Sequence, residues 1–202
     1  VGGEDVGVGV EPVPIGADAG AGFRAEESDL NKCVFVTRQE QTMGDENETV
    51  LMCKRGQIAA IAVSTGALAS QIPDLNVVEI PYLFRNFKEA DYIIDNVLGP
   101  EFDKIFPEYG FVLGFWSENG FRQFGSKDGF IKKPADLKGK KMRSQESRVH
   151  LEMWKAFGAS PVPIPTTEVL TALRTGTVDG FDQATLYAIA AGWYRSVKYF
   201  TI

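Results

Sequence analysis

Arg143 closes a short strand-like run, KKMRS, and is the residue in this chain best suited to hold an anion. A planar guanidinium offers a carboxylate two parallel N–H donors and keeps its charge at physiological pH. Its surroundings are basic. From Phe121 to Arg148 there are nine Lys or Arg and three Asp or Glu, whereas the first fifty residues carry three against eleven. Such an uneven field on a chain of net charge −6 points to a local anion site on a protein that does not attract anions globally. A solvated lysine face accounts for most of the lysines, among them Lys132, Lys133, Lys138, Lys140 and Lys141. Arg143 differs because it ends a strand just before Ser144, Gln145 and Glu146 open a helix.

The usual parts of enzyme chemistry are missing. There is no GxSxG elbow, no P-loop and no GxGxxG after a buried strand. Cys33 and Cys53 are the only cysteines, without a CxxC pair or companion histidines, so neither a zinc site nor any other metal or cofactor is expected. Two plain thiols are the default reading, with a disulfide left open. The single histidine, His150, lies beside Arg148 and Glu152 on an expected helix and reads as a surface residue rather than a general base. The negative net charge argues against nonspecific nucleic-acid binding. No run approaches the roughly 18 apolar residues of a membrane helix, and no signal peptide is visible at Val1–Gly22.

The elements that must position Arg143 are legible in outline. Residues 1–25 are glycine-rich without period and read as a divergent or disordered start. Strands are expected at Lys32–Arg38 (KCVFVTR), Ile58–Val63 (IAAIAV), within Pro73–Phe84 (VVEIPYLF), at Phe111–Trp116 and at Phe121–Phe124, which places Arg122 near a strand end. Helices are expected after Asp45, with Glu48 completing the cap and Gly56 closing it, and after Asn86, stopped by Gly99-Pro100. The second half repeats this grammar. It alternates strand Lys140–Arg143, helix Ser147–Phe157, strand Pro161–Ile164, a helix capped by Thr166 or Thr167 and ended by Gly176, strand Val178–Phe181, and a helix from about Ala184 towards Val197. Phe115, Trp116, Tyr187 and Trp193 read as core. Sliding the chain by 120 residues (176 minus 56) lays Gly56 on Gly176 and Glu48 on Glu168, which suggests two similar α/β lobes. The lobes would span 26–124 and 125–202, hinged near 122–126, with ligand loops at the carboxyl ends of strands.

PADLKGKKMR, AFGASPVPIPTTEVLTALRTGTVDG and the closing WYRSVKYFTI resemble the solute receptors of tripartite ATP-independent periplasmic (TRAP) transporters. MGDENETVLMCKRGQIAAIAVST and PDLNVVEIPYLF resemble the first lobe of the same family, so the likeness runs from about Gln41 to Ile202. It implies a two-lobed, type II periplasmic-binding-protein-like α/β fold, incomplete at both ends. It also implies a periplasmic receptor, not an enzyme, that closes on a small organic acid and passes it to TRAP membrane permease subunits. By the same resemblance Arg143 pairs with the ligand carboxylate, and Arg122, in GFR, is a second ligand arginine. Gln183, Ser64 with Thr65 beside it, Glu146 and Thr166 fall on further cleft positions. Structural readings stand beside these: an ion pair of Arg143 with Glu146 or Glu168, and a bracing role for Arg122. Two whole-chain alternatives stay open, a truncated receptor of reduced stability without a working cleft, and an enzyme using Glu168, Asp179 or Asp182 as acid or base. The ligand's identity beyond a carboxylate is not encoded in these motifs.

Overall fold

A five-stranded mixed sheet in the second half of the chain holds the arginines in place. Its order is β3-β2-β4-β1-β5, where β1 is Arg122–Ser126, β2 Lys141–Ser144, β3 Ser160–Pro163, β4 Gly180–Ala184 and β5 Tyr199–Thr201. Strand β2 lies parallel to both β3 and β4, and β1 runs antiparallel to β4 and β5. The computed structural model describes residues 44–117 and 119–202, all within one unit that begins at Lys32. The expected strand over 32–38, the start at 1–25 and Cys33 lie outside the described residues.

Before the sheet the described chain is helical. Helix α1 (Glu46–Lys54) and α2 (Thr65–Leu68) are followed by a 3-10 segment, Pro73–Glu79. Then come α3 (Phe87–Ile93), a π-turn (Ile94–Leu98) and α4 (Gly99–Glu108). Asn86 caps α3 as expected, accepting from the Glu89 amide. In the second half, α5 (Arg148–Ala156) follows β2, α6 (Val169–Thr175) follows the 3-10 turn Thr166–Glu168, and α7 (Thr185–Ala190) follows β4. Gly176 ends α6 with φ +78°, a left-handed conformation that a side chain would strain, and Gly56 does the same after α1 at φ +68°.

Several expectations fail for physical reasons. Ile58–Val63 and Phe111–Trp116 form no ladder among the described residues. Ile61, Val63, Leu113 and Trp116 pack against a core, yet a strand needs a hydrogen-bonded neighbour as well as apolar content. VVEIPYLF is not a strand: Pro73 presets a helical φ at the first position and the Asn76 side chain donates to Pro73 O. Gly99-Pro100 does not stop the preceding helix, because the π-turn re-phases the backbone and Pro100 falls in the first turn of α4, where its missing N–H costs nothing. The last helix breaks at Gly192, φ +70°, into α7 and the 3-10 turn Trp193–Ser196. Phe115, expected in the core, is 79% exposed.

Three apolar clusters fill the described fold. One joins α1, α2, the Pro73 segment and α4 through Val50, Ile72, Leu75, Phe102 and Phe106. The other two flank the sheet, around Phe181, Leu173 and Trp193 on one side and Met142, Leu137 and Trp154 on the other. At Gly180 a Cβ would stand 2.3 Å from Gly125 O, so the close pairing of β4 with β1 requires glycine there.

Candidate functional site

Strand direction alone brings the key groups together. The carboxyl ends of parallel β2 and β4 lie side by side, with Arg143 opposite Phe181. Antiparallel β1 places its first residue, Arg122, opposite Ala184, next to Asp182 and Gln183. This is the strand end at which open α/β sheets gather ligands.

Arg122 is fully engaged. Its Nε lies 2.5 Å from Asp182 Oδ2, its Nη2 donates to Asp182 O at 2.8 Å, and its Nη1 reaches Gln183 Oε1 at 3.4 Å and Gln145 Oε1 at 3.5 Å. Burial opposes both charges. The Arg122 guanidinium, helped by His150, nevertheless holds the Asp182 carboxyl well below the usual range, and Asp182 in turn raises Arg122.

Arg143 is 2% exposed and differently placed. Its Nε donates to Ile164 O at 3.0 Å and its guanidinium lies over the Trp193 ring, 5.3 Å from the centroid. Among the described residues no carboxylate forms an ion pair with it. Glu146 is exposed and accepts from Asn47 Nδ2 at 3.0 Å, and Glu168 is exposed. Burial, and then the positive field of Arg122, pull its pKa down to about 10, so it stays charged at neutral pH. A buried, charged group without a counter-ion costs several kcal/mol unless an anion arrives.

Links from the helical part meet this end of the sheet. Gln145 Nε2 donates to Ser64 Oγ at 2.6 Å. Ser64 Oγ donates to Glu46 Oε2 at 2.9 Å, and the Ser64 amide donates to Glu46 Oε1 at 3.1 Å. Thr65 Oγ1 donates to Glu79, whose Oε2 lies 2.7 Å from His150 Nε2. Asp45 stands at the N-cap of α1 but does not cap it. Its Oδ1 accepts from the Thr166 amide at 3.0 Å and from the Thr166 hydroxyl at 2.8 Å.

The structure therefore gathers Arg143, Arg122 and Gln183 at the strand ends, with Ser64 one hydrogen bond away through Gln145. Thr166 and Glu146 stand as ties between the two halves, through Asp45 and Asn47, and Thr65 fixes Glu79 within the first. His150 corrects the surface expectation. It is 3% exposed, because it shares the inward face of α5 with Trp154, one turn on. That i, i+4 pairing with a large apolar residue was a usable signal. Asp182 carries a signal of its own, since an Asp that follows Phe181 at the end of a buried strand calls for a cationic partner. Gln145, Glu46 and Glu79 carry no comparable mark. As for acid–base roles, Asp182 is locked to Arg122 and Asp179 Oδ2 accepts from the Lys141 amide at 2.7 Å. The lysines 132, 133, 138 and 141 stay exposed. Cys53 is a free, half-buried thiol. Among the described residues no helix is long and apolar enough to cross a membrane.

The chain belongs to the family of bacterial extracellular solute-binding proteins, family 7, whose model matches residues 32–202. A curated relative, a solute-binding protein of Verminephrobacter eiseniae, is 34% identical over 160 residues, 79% of this chain and 48% of its own. A TRAP periplasmic solute binding protein from Xanthobacter autotrophicus with bound β-D-galacturonate superposes with TM-score 0.75 at 31% identity, covering 79% of this chain and 53% of that one. A sugar acid binding protein from Advenella mimigardefordensis, in complex with galactonate, does so with TM-score 0.74 at 33% identity, covering 79% and 51%. The chain thus spans about half the length of the relatives it matches.

Proposed function

We propose that this chain is the ligand-capturing portion of a periplasmic TRAP receptor, which takes a sugar acid or a similar small carboxylate for delivery to membrane permease subunits. The observation that carries this reading is Arg143: a 2% exposed guanidinium at a strand end, charged and without a paired carboxylate among the described residues. An incoming carboxylate supplies the missing counter-charge in two parallel hydrogen bonds. Arg122, Gln183 and Ser64 line the same end and offer donors and acceptors to the hydroxyls of the bound acid. The galacturonate and galactonate held by structural relatives fit that mixture of one carboxylate with several hydroxyls. Lobes spanning 26–124 and 125–202, hinged near 122–126, would close on it.

Thermal melting of the purified chain against galacturonate, galactonate, succinate and pyruvate tests the reading. A ligand at about a hundred times its dissociation constant adds roughly 2.7 kcal/mol, several degrees in melting temperature. The expected outcome is such a shift with a sugar acid and its loss in Arg143→Ala. A cooperative melt that none of these acids moves would overturn the reading.

A further inference from the structure

His150 occupies the junction between the two halves of the described chain. Its Nε2 lies 2.7 Å from Glu79 Oε2 on the 3-10 segment, and its Nδ1 lies 3.6 Å from Asp182 Oδ2 on β4, too long for a hydrogen bond but close for opposite charges. His150 Nδ1 and Asp182 Oδ1 are both buried without a hydrogen-bond partner among the described residues. Glu79 is fixed in turn by Thr65, and Asp182 by Arg122.

We propose that His150, as the imidazolium, is a positioning residue for anion capture: it ties Glu79 to the Asp182–Arg122 pair, and binding weakens when it loses its proton. This rests on the reading of the strand ends as an anion site. Carboxylates only accept hydrogen bonds, so Nε2 carries hydrogen towards Glu79, and a second hydrogen on Nδ1 turns the 3.6 Å approach to Asp182 into an attraction. A neutral ring has one N–H and turns a lone pair on either Glu79 or Asp182, which opposes the contact between the halves.

The groups that face the ring agree. From the 3-10 segment comes Glu79, from β4 Asp182 and from β1 Arg122. β2 turns Met142 to this side, with Arg143 over Trp193 on the other face of the sheet, and β3 has no titratable residue. Arg148 and Glu152 of α5 itself lie towards the surface. Burial and Arg122 disfavour the proton, yet the two carboxylates outweigh them and raise the imidazole above its ordinary value. The field points the same way: loss of the proton removes a positive charge beside Glu79 and Asp182 and makes this end of the sheet less favourable to a carboxylate.

His150 is the only histidine, so its imidazole NMR signal is unambiguous. The experiment follows that signal, and the dissociation constant of D-galacturonate, from about pH 5.5 to 8.5, where the ligand carboxylate stays ionised. Wild type, Glu79→Gln and His150→Gln are compared. Wild type is expected to bind on the order of tenfold more weakly once the imidazole has titrated. Glu79→Gln moves the titration, and with it the affinity curve, to lower pH, and His150→Gln abolishes the pH dependence. Should His150→Gln fail to fold, Glu79→Gln carries the test alone. Affinity that ignores the titration, or an imidazole unmoved by Glu79→Gln, overturns the coupling only. No binding by any variant at any pH overturns the anion site and the coupling together.

Discussion

Arg122 and Arg143 are the same residue at the same end of one sheet, and their partners set them apart. Arg122 has its charge matched by Asp182 and braces the strands, and its Nη1 makes only the longer contacts to Gln183 and Gln145. Arg143 has only Ile164 O and the Trp193 ring, and its charge is available. Asp182→Asn should therefore leave the half-buried Arg122 without its counter-charge and cost about 3 kcal/mol in urea denaturation, more than a surface Asp change. An unchanged midpoint would show that the pair contributes nothing. Arginine chemistry made Arg143 legible from the sequence. The role of Arg122 was less so, because the partner that neutralises it is 60 positions away and only strand pairing joins them.

At the level of elements, β1 to β4 were readable because short strands there alternate with helices and pair within the described residues, whereas β5 (Tyr199–Thr201), with no Gly or Pro beside it, was not expected. Strands β1 to β4 lie within three residues of their expected positions. In the first half the apolar runs were equally clear, but apolar content marks burial rather than pairing, and Ile58–Val63 and Phe111–Trp116 bury side chains without a described ladder. Strand β4 passes close to β1 at Gly180. Gly180→Ala should force its Cβ into Gly125 O and lower the melting temperature by several degrees, roughly 1–3 kcal/mol. An alanine variant that melts like wild type would mean that the strands separate at little cost.

For the whole molecule, the cluster joining the halves predicts how stability follows pH. The carboxyls of Asp182 and Glu79 are depressed, so their contribution is complete above the ordinary carboxylate range near about pH 4 and is lost as pH falls through their lower folded values. The imidazole of His150 is raised, so its contribution is complete below about pH 6.5 and is lost as pH rises through its higher folded value. Denaturation midpoints should peak in mildly acidic solution, and Glu79→Gln should remove most of the alkaline decline. A flat profile from about pH 5 to 8 would contradict this arrangement of charges.

Carboxylate capture, as proposed, rests on Arg143. Isothermal titration of D-galacturonate into wild type, Arg143→Lys and Arg143→Ala tests it most directly. Loss of charge-assisted hydrogen bonds worth about 1.5–3 kcal/mol each predicts affinity reduced by roughly a hundredfold or more in Arg143→Ala. Arg143→Lys should fall between, keeping the charge and losing the fork. Equal affinity in all three proteins would place the carboxylate elsewhere and contradict the account.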